Sequence, residues 1–172
     1  MKSAEENNFF VSVADGLSEA RERINKRQVG ERSSGDVKTG FEQLDLVLGG
    51  FYKSNLIFVG GKLSDEKEAF KRGLLRHSAP NILLINHGTV NDLVGKIFEL
   101  KCLATSLNIP VLIFSPIEPV EEGISMAVER ILNFIVRTSD VVLYFNKENC
   151  ATAEIFVAKN INGPLGLAKI NL

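Results

Sequence analysis

Four short apolar runs, at 55–59, 82–85, 111–114 and 141–145, set the architecture of this chain. Each is continuous rather than alternating. That is the pattern of a strand buried on both faces, and such strands belong to parallel sheets covered by helices on either side. The stretches between them, 66–77, 91–107 and 124–137, read as those helices. In 91–107, Leu93, Ile97, Leu100 and Ala104 form one stripe at helical spacing. Two last strands, 154–158 and 167–172, flank Asn162-Gly163, a strong hairpin signal. The order predicts an α/β fold: a mainly parallel central sheet flanked by helices, with a C-terminal β-hairpin that makes one edge antiparallel.

The compact part is expected to span 39–172, opening with a short helix, 41–48, that Gly49-Gly50 ends as a C-cap. Residues 1–38 read as an arm and linker. Over 9–27, Phe10, Val13, Leu17, Ala20 and Ile24 recur at three- and four-residue steps, with charged residues on the other faces. Residues 28–38 are polar, with Gly and Ser. Such a helix packs either on its own domain or on another subunit. The tether favours the second, with Phe10, Val13, Leu17 and Ile24 as interface candidates.

The net charge of −1 over 172 residues supplies no global field for nucleic acid, so weak or absent nucleic-acid binding is expected. The two cysteines, Cys102 and Cys150, stand far apart and outside any metal-ligand spacing. They predict a reducing compartment and no metal site. No apolar run is long enough to span a bilayer, and the start of the chain lacks a secretory apolar region. A soluble cytoplasmic protein without membrane contact is the expectation. With two histidines, no Ser/His/Asp or Cys/His constellation assembles.

Ligands in sheets of this kind bind outside the carboxyl ends of the strands, here the loops 60–66, 86–90 and 115–123. The first has the strand–glycine–helix layout of a phosphate-binding loop. That loop uses glycines so that backbone N–H groups curl around phosphate, a lysine that reaches the outer phosphates, and a hydroxyl that ligates magnesium. Gly61 and Lys67 stand at the matching positions, while Glu66 and Glu68 replace the second glycine and the hydroxyl residue. A carboxylate beside a triphosphate repels it by roughly 1–4 kcal/mol at a few Å. Taken alone, Asp65-Glu66-Lys67-Glu68 reads better as the acidic first turn of a helix. His77 suits a helix end, His87 stands next to Asn86 at a strand end, and Lys159 is either a solvated strand charge or a relic phosphate contact.

Several segments resemble the RecA-like, P-loop ATPase domain of DnaB-like replicative helicases. They are Thr39-Gly40-Phe41 with Leu44-Asp45 and Gly49-Gly50; Leu100 to Ala104 with Leu107 to Val111; Ser139 to Leu143; and Ala153 to Ile155 with Ala158 to Gly166. The resemblance runs in order over about 9–172. It implies a RecA-like fold, an N-terminal linker-type helix that docks on the next subunit of a ring, and a site for ATP and magnesium.

The departures from that family decide the functional expectation. Beyond Glu66 and Glu68, Asn86 stands where the family's magnesium-associated aspartate would be, and the strand carrying its catalytic glutamate has no counterpart. Ser115-Pro116 replaces its γ-phosphate sensor, and Ile161 replaces the arginine that acts on a neighbour's phosphate. Glu118, Glu121 and Glu122 crowd the loop that faces DNA in the family. The chain therefore reads as a degenerate, non-catalytic relative acting through proteins, either its own copies or a replicative helicase. The degenerate nucleotide site would comprise Gly61, Lys67, Glu68, Asn86 and Lys159, with no cofactor beyond weakly bound ATP and magnesium, the nucleotide contacted by Lys67. Two alternatives stand beside it: a divergent ATP-dependent DNA helicase or ATPase using Lys67, and a nucleotide or single-stranded DNA binder without turnover.

Overall fold

A computed structural model describes residues 37–61, 65–117, 126–147 and 152–172, together with Ser18 and Arg21. The chain divides into two units, Met1–Ser34 and Gly35–Leu172. The arm residues Phe10, Val13, Leu17 and Ile24 lie outside the described residues, as do Glu118, Glu121 and Glu122 and the side chain of Glu66.

The described residues form six strands: β1 (Leu56–Gly61), β2 (Leu83–Asn86), β3 (Val111–Phe114), β4 (Val141–Lys147), β5 (Thr152–Asn160) and β6 (Gly166–Asn171). They form one sheet in the order β2-β3-β1-β4-β5-β6. The first four of that order run parallel, and β5 and β6 return antiparallel as the expected hairpin. The hairpin connection is wider than its Asn-Gly pair suggests, because Ile161 to Leu165 all lie between the strands.

Alternate residues of the central strands feed two cores. Ile57, Val59, Leu112, Phe114, Leu143 and Phe145 face helices α1 (Glu42–Leu48) and α2 (Asp65–Ser78), which contribute Leu44, Leu48, Phe70 and Leu74. Leu56, Phe58, Val111, Ile113 and Val142 face the other layer, α3 (Val90–Val94), α4 (Ile97–Leu107) and α5 (Met126–Thr138). Every residue of β1 is buried, the consequence of helices on both faces. Phe70 centres the first core, with its ring centroid 5.1 Å from Phe41, 5.8 Å from Phe145 and 6.2 Å from Phe114.

The expected single helix over 91–107 is two helices. Thr89 caps the first by accepting from the Asp92 N–H at 3.2 Å. The turn at Gly95-Lys96 then closes early, with the Lys96 N–H donating to Leu93 O at 2.9 Å, three residues back. Glycine's poor helix propensity makes that the place to break. The stripe survives the break: Leu93, Ile97 and Ala104 are buried, and Leu100 packs against the same core.

The compact unit begins earlier than Thr39, because Val37 bridges Phe51 in antiparallel fashion. α1 ends as expected, with Gly49 in the left-handed region and its N–H on Asp45 O at 2.8 Å. At the amino ends of the strands, Asp140 is the fastening. Its carboxylate accepts from the Leu56 N–H at 2.7 Å and pairs with Lys101.

Candidate functional site

Three strand ends meet on the opposite rim of the sheet. β1 stops at Gly61, β2 at Asn86 and β3 at Phe114. A pocket of about 270 Å³ lies there, lined by Lys67, Glu68 and Lys71 of α2, by Asn86, His87 and Gly88, and by Phe114 and Pro116. Two of the loops picked out from sequence, 86–90 and 115–123, reach this cavity, and the helix that follows the loop 60–66 supplies its third wall.

Lys67 sits in the first turn of α2, from which a long side chain points back toward the strand end. Its ammonium donates to Gly61 O at 3.2 Å and Ser115 O at 3.0 Å, and the residue is only 1% exposed. It thus fastens the last residue of β1 to the residue that follows β3. Burial is the main cause that lowers its pKa from 10.5 to about 8; neighbouring Lys71 adds to the lowering and Glu68 opposes it.

Glu68 does not pair with Lys67. Its carboxylate takes the ammonium of Lys71, one helical turn on. The Lys71 nitrogen also lies 5.0 Å from the centroid of the ring of Phe114, another residue that lines the pocket. Lys71 and Phe114 were not singled out from sequence. The i,i+3 spacing of Glu68 and Lys71 is the sequence signal that could have found the pair.

Gly61 is held by its neighbour in the sheet. It pairs with Phe145 of β4 at φ 136°, and a Cβ there would lie 2.3 Å from the Phe145 carbonyl oxygen. Glycine is demanded by backbone packing at this point, whether or not a phosphate approaches. Asn86 is exposed at the end of β2. The His87 N–H donates to Phe114 O at 2.8 Å, and ring Nδ1 lies 2.9 Å from Thr89 O. A carbonyl partner makes Nδ1 the protonated nitrogen and leaves Nε2 as the acceptor of the neutral ring.

Lys159 lies elsewhere. It aligns with Val142, and Val142 with Phe58, three residues before Gly61 along β1 and so roughly 10 Å toward the other rim. Its ammonium donates to Val136 O at 2.8 Å, to Arg137 O at 3.1 Å and to Ser139 O, the carbonyls at the C-terminal end of α5. It is a helix cap rather than a member of the pocket. A helix end offers bare carbonyls, and a lysine on the adjacent strand satisfies them. Ile161 is an exposed member of the hairpin connection, and His77 ends α2 as expected.

No protein-family model matches the sequence, and no curated protein does. Solved structures match by shape. The ATPase domain of G40P superposes with a TM-score of 0.64 at 13% identity, over 93% of this chain and 95% of that one. A DnaB-like replicative helicase, described together with its interactions with primase, superposes at 0.62 and 12% identity, over 94% of this chain and 66% of that one. The fold is that of a DnaB-like helicase ATPase domain. At these identities the likeness is one of backbone. At the pocket of this chain, Lys67 and His87 are tied to main-chain carbonyls and Glu68 to Lys71. Among the described residues no helix is long and apolar enough to cross a membrane.

Proposed function

We propose that this protein is a catalytically degenerate DnaB-like domain that works by binding other proteins, in a setting of DNA replication. The observation that carries the reading is the Lys67 ammonium on Gly61 O and Ser115 O. The lysine that would reach a triphosphate is instead part of the scaffold. Glu68, at the position of the magnesium-binding hydroxyl, is committed to Lys71. These residues do not fit a magnesium–triphosphate group. To admit one, Lys67 would have to withdraw its ammonium from the Ser115 carbonyl, at a cost of about 1–3 kcal/mol, and from Gly61 O, which would keep the Ile117 N–H at 3.1 Å. Glu68 would then add repulsion. The solved relative described with primase makes a replication protein, or a second copy of this chain, the natural class of partner.

Calorimetry with ATP and magnesium tests the reading. A flat titration at millimolar ATP is expected, with no phosphate release above background. Saturable binding with hydrolysis that Lys67→Ala abolishes would establish the enzyme reading instead. The open pocket beside Lys71 and His87 favours a second possibility, a nucleotide binder without turnover. Saturable heat without phosphate release would select it.

A further inference from the structure

The two edges of the sheet are unlike. β6, on one side, carries the exposed Lys169, ion-paired across the ladder with Glu154 of β5, and a charge on an edge strand discourages pairing with another chain. β2, on the other, is Leu83-Leu84-Ile85-Asn86, with no charge, proline or glycine. From Ser78 to Asn91 the sequence contains no Asp, Glu, Lys or Arg at all. The Leu83 and His87 N–H groups donate inward, to Pro110 O at 3.0 Å and Phe114 O at 2.8 Å. By the alternation of a parallel ladder, Leu84 and Asn86 turn their N–H and C=O groups to the open side. Among the described residues no strand pairs there. Leu84 packs partly on one core and Leu83 and Ile85 partly on the other, so both helical layers reach β2 and stop short of covering it.

We infer that the β2 edge pairs with the β2 edge of a second copy, antiparallel about a two-fold axis at Leu84, making one continuous sheet across two chains. A second copy fits better than an unlike strand for two reasons. The segment brings Leu and Ile against Leu and Ile on both faces, the favourable kind of cross-strand pair, and has no charge to repel its own image or to recruit a charged partner. An isologous contact also uses up the open edge of both copies at once and closes the assembly. The strand is short, and its edge contributes well under the ~800 Å² per partner of a standard interface, so the dimer is weak. This inference is independent of the absence of ATP binding proposed above.

Sedimentation velocity on the full chain, up to about 300 µM because small interfaces are weak, should show reversible dimers. Leu84→Lys should weaken them about five- to tenfold, through lost apolar pairing and like charges set opposite each other. Its far-UV circular dichroism should stay native. Leu84→Cys supplies a test that needs no loss of packing. Paired Cα atoms across an antiparallel ladder lie within disulfide range, so, with Cys102 and Cys150 both replaced by serine, mild oxidation should cross-link this variant and leave Lys169→Cys on the other edge monomeric. A chain that stays monomeric, dimers unaffected by Leu84→Lys, equal cross-linking from both edges, or dimers abolished by Phe10→Asp and Leu17→Asp but kept in Leu84→Lys would each overturn the inference. Calorimetric ATP binding with a dimer that Leu84→Lys still breaks would sink the proposed function and leave the edge standing.

Discussion

The Lys67 ammonium donates to the carbonyl of Ser115 at 3.0 Å, joining the first turn of α2 to the end of β3. With its second bond, to Gly61 O, it closes a brace across the two central strands. In a phosphate-binding loop this lysine faces a ligand and its loss is felt in catalysis. Here its loss should be felt in folding.

Lys67→Ala is expected to lower stability by about 2–4 kcal/mol, the sum of lost stem packing and the loss of a charged donor at Ser115 O and at Gly61 O, the latter keeping only the Ile117 N–H. Lys67→Met, which keeps the volume, should cost less. Urea unfolding followed by circular dichroism measures both. Wild-type stability in Lys67→Ala would sink the idea of a brace.

The same burial gives Lys67 a pH signature. Its folded pKa is about 8, against an unfolded value near 10.5. Below pH 8 both states hold the proton, and the cost of the buried charge is fully present. Between about 8 and 10.5 the folded chain has released the proton while the unfolded chain keeps it. The unfolded state then binds more protons, and stability rises with pH through that window, by at most ~1.4 kcal/mol per unit. The difference between wild type and Lys67→Met, followed from pH 7 to pH 10 in the same denaturant series, isolates this contribution. A difference that does not change with pH would remove it.

Gly61→Ala should destabilise the domain by several kcal/mol, because φ 136° and a Cβ 2.3 Å from Phe145 O leave the side chain no place without moving β4. The loss should appear in the apo protein, with no nucleotide present. A glycine kept only for phosphate would tolerate alanine in that experiment, so an unchanged thermal midpoint would return Gly61 to a ligand-binding role.

Much of the scaffold was legible because burial on both faces writes continuous apolar runs, and β1, β3 and β4 lie within two residues of where those runs stand. The strand and helix ends that drifted are positions where side-chain pattern is silent and backbone bonding decides, as at Gly95-Lys96. The pocket was legible as a place, from loops at strand ends, but its wiring was not. Main-chain carbonyls, such as those of Gly61 and Ser115, leave no mark on a sequence, so Lys67 reads as a lysine seeking a ligand. Lys159 misled for a related reason. Its residue type suits a phosphate, and only the alignment with Val142 and Phe58 puts it at the other rim.

That placement makes the last prediction. If Lys159 caps α5, Lys159→Ala should cost about 1–2 kcal/mol, because three carbonyls at the helix end lose a charged donor. Its own pKa is lowered, with burial the main cause, Asp140 opposing and Lys101 adding to it, so the ammonium is held there against some desolvation. Lys159→Arg should recover part of the loss, since a guanidinium can reach the same oxygens. Amide hydrogen exchange locates the effect: faster exchange is expected in the last turn of α5, with Asn86 and His87 unchanged. Faster exchange around the Lys67 pocket instead would tie Lys159 to that site after all and undo its reading as a cap.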